Sequence, residues 1–176
     1  PKWAEKAKKA VFSVVTYDTN DKILNTGNGF FISEKGIAIS DYALFKNAQR
    51  AVIITSEGEK MPVKAILGAN DMYDVVKFSV DITSKKVANL TLSETPMAEG
   101  TKLWLLPYST QKVRSLTSGN VNSVDKISDY AYYTINLPLK EKMVSCPLMN
   151  DEGLVVALAQ KASGQDTATI CYGVDA

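Results

Sequence analysis

The chain is cut into many short runs of β-forming residues, and this punctuation constrains its fold more than any other feature. Val11–Tyr17, 29–33 (Gly-Phe-Phe-Ile-Ser), 37–40, 51–55, 61–68 and 75–80 are rich in Val, Ile and Phe, and Gly, Asn or Asp bounds them. The second half repeats the style at 102–108, 113–117, 121–124, 130–137, 146–149, 154–161 and 168–172. Each run has strand length and is too short for an amphipathic helix. About a dozen short strands predict an all-β architecture, a barrel or a sandwich.

One helix stands apart. Trp3-Ala4-Glu5-Lys6-Ala7-Lys8-Lys9-Ala10 is rich in helix formers and puts Trp3, Ala7 and Ala10 on one face. Its lysines, with Lys2, read as a solvated face. The expected organisation is an N-terminal helix over 1–10, a first lobe over 11–86, a linker over 87–100 and a second lobe over 101–176. The linker belongs to a Ser-, Thr-, Pro- and Gly-bearing stretch, 81–100, without a clear period. The halves are not repeats of one another in sequence. The chain opens at Pro1 rather than Met and is read as a piece of a longer one.

Composition narrows the chemistry. The 176 residues hold 20 Lys and Arg against 19 Asp and Glu, a net charge of +1. Nucleic acid is not an expected partner, because a dedicated binder concentrates positive charge on one face. No apolar stretch approaches the ~18 residues of a membrane span. There is no histidine, so no Ser-His-Asp triad, Cys-His dyad or His-bearing zinc site can come from this chain alone. The two cysteines, Cys146 and Cys171, rule out a four-Cys metal site; they form one bridge or stay as two small buried thiols. No phosphate-binding Gly-Lys-Ser/Thr loop is present, and no cofactor or metal is expected.

The order of turns is more specific than any single turn. Gly27-Asn28-Gly29-Phe30-Phe31-Ile32-Ser33 leads to the Glu34-Lys35-Gly36 turn, and Ile39-Ser40-Asp41-Tyr42-Ala43-Leu44 follows. Val63 to Gly68 precedes Asn70-Asp71-Met72-Tyr73-Asp74-Val75-Val76. Gly100 to Pro107, then Leu116-Thr117-Ser118-Gly119-Asn120-Val121, and finally Val144-Ser145-Cys146-Pro147-Leu148-Met149-Asn150-Asp151-Glu152-Gly153 complete the series. Over nearly the whole chain this train resembles the trypsin-like serine proteases of the HtrA/Deg type. The resemblance implies the chymotrypsin fold, two perpendicular six-stranded β-barrels with a cleft between them.

It also implies where a triad would sit. Tyr42 stands where that family carries its catalytic His. Asp74, opening Asp74-Val75-Val76-Lys77, matches the family Asp. Val144 stands where the nucleophilic Ser would be, with Lys142 in place of a preceding glycine. Val144 has no hydroxyl, and a phenol titrating near ~10 is a poor base at neutral pH. A Cβ at 142 also works against the backbone turn that forms an oxyanion hole. Ser145 and Cys146 are the candidate rescue nucleophiles, with Lys140 or Lys142 to depress a pKa; the competing reading makes them small space-fillers. Asp74 is a candidate partner of the Tyr42 hydroxyl, Ser40 or a backbone amide being the alternatives. Tyr108, Tyr130, Tyr132 and Tyr133 are a candidate peptide-binding group or, equally, barrel core and rim.

Three functions remain open. The first is a pseudoprotease whose former cleft binds a peptide or protein partner. The second is a structural module of a longer multidomain protein. The third is an unconventional serine or cysteine peptidase using Ser145 or Cys146. The resemblance also implies export to the periplasm or cell surface.

Overall fold

The strand runs become strands wherever a neighbour takes up their backbone hydrogen bonds. The computed structural model describes residues 2–71, 74–94, 98–106, 108–109, 112–113, 117–127, 130–136, 145–162 and 165–170. Helix α1 (Ala4–Lys8) is followed by β1 (Val11–Tyr17), β2 (Ile23–Phe31), β3 (Ile37–Ser40), the single turn α2 (Tyr42–Phe45), β4 (Arg50–Thr55), β5 (Lys60–Asn70) and β6 (Val75–Val80). These six strands close into an antiparallel barrel in the order β1-β2-β3-β6-β5-β4. Closure is made by β1 against β4, with Val14 opposite Ile53.

The second barrel uses β7 (Lys102–Leu105), β10 (Thr117–Ile127), β11 (Tyr130–Ile135), β12 (Pro147–Met149), β13 (Val155–Ala162) and β14 (Gln165–Ile170). A two-stranded pair, β8 (Tyr108–Ser109) with β9 (Lys112–Val113), stands outside it. The second barrel runs β10-β11-β14-β13-β12-β7 and closes through β7, which pairs with both β10 and β12. In each barrel the strands therefore follow the order first, second, third, sixth, fifth, fourth. The topology repeats although the sequence does not. The all-β expectation and the double-barrel fold hold.

The first core is aromatic. Phe12 meets Phe31 at 4.9 Å and Phe78 at 6.3 Å, both edge-to-face, and Phe45 meets Phe78 at 4.8 Å. Val14, Ile53, Met61 and Val76 fill the remainder. The Gly-x-Gly of β2 serves this packing. A Cβ at Gly29 would lie 2.6 Å from the Phe12 ring and 2.8 Å from the Ile39 carbonyl, and one at Gly27 would run into Leu44. The second core is aliphatic: Leu103, Leu105, Leu106, Leu148, Met149 and residues 155–159. Val11, Phe30, Ile39 and Val75 of the first barrel join the same cluster, so the barrels share apolar contact.

Two straps hold them together. The carbonyl of Ala10, just past α1, accepts from the Phe31 amide. On the other side Trp3 reaches the turn after β12, where its Nε1 donates to the Asp151 carbonyl at 2.9 Å and its ring meets Trp104 edge-on at 6.4 Å. Gly153, with φ at 79°, leaves no room for a Cβ against Trp3. The stretch read as a linker is stitched to both sides. Val87 and Leu90 amides donate to Glu34 and Phe31 carbonyls, while the Ser93 amide donates to the Val155 carbonyl and the Val155 amide to the Thr91 carbonyl. No helix among the described residues is long and apolar enough to cross a membrane.

Local boundaries depart from expectation where pairing overrides turn chemistry. The strand run read from Gly29 begins earlier, at Ile23: Asn25, Thr26, Gly27 and Asn28 are strand, opposite Thr16, Val15, Val14 and Ser13. Residues 117–127 form one strand rather than the ends of two, because Ser118, Gly119 and Asn120 pair with Trp104, Leu103 and Lys102. Asp18 to Asp21 is a turn as expected, with Asp18 Oδ1 accepting from Asn20 and Lys22 amides.

Candidate functional site

The first-barrel half of the site is built on α2 and the residue that opens β6. Asp41 takes the N-cap position with extended backbone, but its side chain makes no cap bond. Asp74 supplies it from the start of β6, the strand paired with β3: its Oδ1 accepts from the Ala43 amide at 2.7 Å and its carbonyl accepts from the Tyr42 amide at 3.2 Å. A short helix begins with unpaired amides, and a carboxylate satisfies one of them. Asp74 adopts φ of 55° to do so; Asp is among the few residues that tolerate the left-handed region.

The Asp74 carboxyl is half-buried. Burial raises its pKa, the Ala43 amide lowers it, Asp71 raises it and Lys46 lowers it, in that order of size, and the net direction is upward. Lys46 and Asp71 form an exposed ion pair at 4.0 Å. The Tyr42 hydroxyl is not the group that meets Asp74; the Tyr42 ring is half-buried against the first aromatic core. Of the partners considered for Asp74, the backbone amide is the one used. Ser40 Oγ instead donates to the Asn28 carbonyl at 2.6 Å.

The second-barrel half is drawn inward. Ser145 is fully buried with φ of 70°. Its amide donates to the Ala159 carbonyl at 2.9 Å, and the Ala159 amide returns a bond to the Cys146 carbonyl at 3.0 Å. The Ser145 Oγ has no hydrogen-bond partner among the described residues. Cys146 is 1% exposed and belongs to the apolar cluster of the second barrel. These side chains face the interior, where a polypeptide substrate does not reach. Lys140, Lys142, Val144 and Cys171 lie outside the described residues, as do the side chains of Tyr108, Tyr130, Tyr132 and Tyr133. Among the described residues no group of three metal-ligating side chains comes together.

The sequence reading missed α2 as a helix, and it named a backbone amide among the partners of Asp74 without saying that the amide is that of Ala43. Its one usable signal was Ser40-Asp41 ahead of Ala43-Leu44-Phe45, a capping residue before an apolar run. Two closed six-stranded barrels of like topology, with this Asp at the first turn beside them, define the trypsin-like double-barrel class. The family model for the trypsin-like peptidase domain matches residues 27–158. The chain belongs to that family. No curated protein matches it.

Proposed function

We propose that this domain has lost peptide-bond hydrolysis and serves as a binding module, with a peptide or protein partner in the former cleft. The observation that carries the reading is a chain without histidine, so that Asp74, whose Oδ1 accepts from the Ala43 amide, has no imidazole to orient. A serine hydroxyl becomes a nucleophile when a base removes its proton, and that base is oriented by a third group. Tyr42 at the family His position carries a phenol where the family carries an imidazole base. Val144 at the family Ser position offers no nucleophile. The burial of Ser145 and Cys146 favours this reading over a rebuilt active site.

The test is cleavage of unfolded casein at high protein concentration, with labelling by a fluorophosphonate and by a thiol-reactive acyl probe. The expected result is neither cleavage nor stoichiometric label. Cleavage that disappears in Ser145→Ala or Cys146→Ala, with the variant's melting curve intact, would overturn the proposal.

A further inference from the structure

β4 and β5 are paired only where Val52, Ile53 and Ile54 face Pro62, Met61 and Lys60. Beyond Pro62, β5 continues to Asn70 with β6 as its strand neighbour among the described residues. The two strands part there and leave a groove of about 230 Å3. Phe45, Ala51, Val63 and Ile66 give it an apolar lining, and its charged lining residues are Lys64 and Arg50, of which Arg50 is already paired with Asp21 outside the groove. Ile66 and Leu67 are each 51% exposed, and Ile66 lines the groove. Arg50 is held in place, its Nε donating to Asp21 at 3.0 Å and its guanidinium stacked 3.9 Å from the Tyr17 ring.

We propose that this groove binds a short extended segment of a partner protein, separate from the former cleft. The segment adds along the open side of β5, places one large apolar side chain in the gap, and sets a neighbouring carboxylate against Lys64 and Arg50. Strand addition draws affinity from main-chain bonds and specificity from such pockets. The volume is adequate, since a cavity of about 150 Å3 accepts a benzene ring.

The charge lining selects an acidic segment. The shape of β5 selects a single chain over a second copy of this domain. Its pairing with β6 is irregular between Val63 and Ala65 and again between Ile66 and Gly68. Bulges and an edge lysine such as Lys64 are features that oppose edge-to-edge joining of two folded sheets, whereas a flexible segment can follow a coiled edge. Phe45 lies on the same helical turn as Tyr42, so occupancy of the groove would bear directly on the Asp74-capped turn.

The experiment selects binders to the full chain from a phage-displayed random dodecapeptide library. The selected peptides are then titrated by fluorescence polarisation against wild type, Lys64→Glu and Ile66→Asp. The expected peptides carry a large apolar residue next to Asp or Glu and bind both variants at least about ten-fold more weakly. They also slow hydrogen exchange of the amides at 64–69 in the wild-type protein. Failure to enrich, equal binding to all three proteins, or exchange unchanged at 64–69 overturns the proposal. So does a dimer in light scattering that Ile66→Asp dissolves, since that assigns the face to a second copy.

Discussion

The two barrels share one strand order and fill it differently. Every phenylalanine of the chain lies in the first half, at 12, 30, 31, 45 and 78, and Phe12, Phe31, Phe45 and Phe78 interlock inside the first barrel. The second barrel is filled by leucines, valines, Met149 and the small residues Ala157 and Ala159. Closure and register are properties of the backbone ladder, whereas filling requires only that volumes match. One topology can thus be specified by two unrelated hydrophobic sets, which is why no repeat is visible in the sequence.

The candidate site shows the same asymmetry. Among the described residues the site draws one non-glycine residue in the left-handed region from each barrel, Asp74 and Ser145, while Asp21 and Asn47 adopt it elsewhere in the first half. In the first barrel that residue is at a surface turn and satisfies a helix amide. In the second it is sealed in the core, and its hydroxyl has no partner among the described residues.

The sharpest way to break the comparison is to empty one core. Phe78→Ala should cost about 3–5 kcal/mol, measured by urea unfolding. Because one apolar cluster spans both barrels, the loss should appear as a lowered midpoint of a single transition. Two separated transitions would show that the barrels are independent after all.

A smaller effect, of opposite sign, is expected at Ser145. Replacing it by glycine removes a left-handed L-residue and a buried hydroxyl that has no partner among the described residues, which together outweigh the added chain entropy of glycine. Ser145→Gly should stabilise by about 1 kcal/mol in thermal melts. A loss would mean that the hydroxyl is engaged.

The smallest effect is expected at Asp74. Its pKa is raised in the folded state, so the folded chain holds this proton more firmly than the unfolded one. Stability from this group is full below its unfolded pKa and declines as pH rises through the interval up to the folded value. Asn keeps an oxygen for the Ala43 amide but carries no charge. Asp74→Asn should therefore match wild type at acid pH and gain slightly at neutral pH. Chemical denaturation at both values checks the sign, and an equal offset at the two would sink the assignment.

Much of this was legible in the residues. The strand-length runs at 11–17, 37–40 and 75–80 coincide with β1, β3 and β6, since their Val, Ile and Phe content suits strands that are largely buried. The N-terminal helix was legible from Ala4 to Lys8, but the reach of Trp3 to Asp151 joins residues 148 apart in sequence, a contact no local pattern encodes. At the site, the absence of histidine and the identities at 42, 74 and 144 were plain. Which of its three candidate partners Asp74 holds was not, because the position of a backbone amide leaves no mark in a sequence.

The sequence by itself determined that the chain is built of short strands and that it carries no imidazole, because strand propensity is local and composition needs no fold. Tertiary structure alone decided that Asn25 to Asn28 and Ser118 to Asn120 become strand, that Gly27 and Gly29 make room for Leu44 and Phe12, and that Ser145 and Cys146 turn inward. In each case the deciding term is a hydrogen-bond partner or a packed side chain supplied from far along the chain.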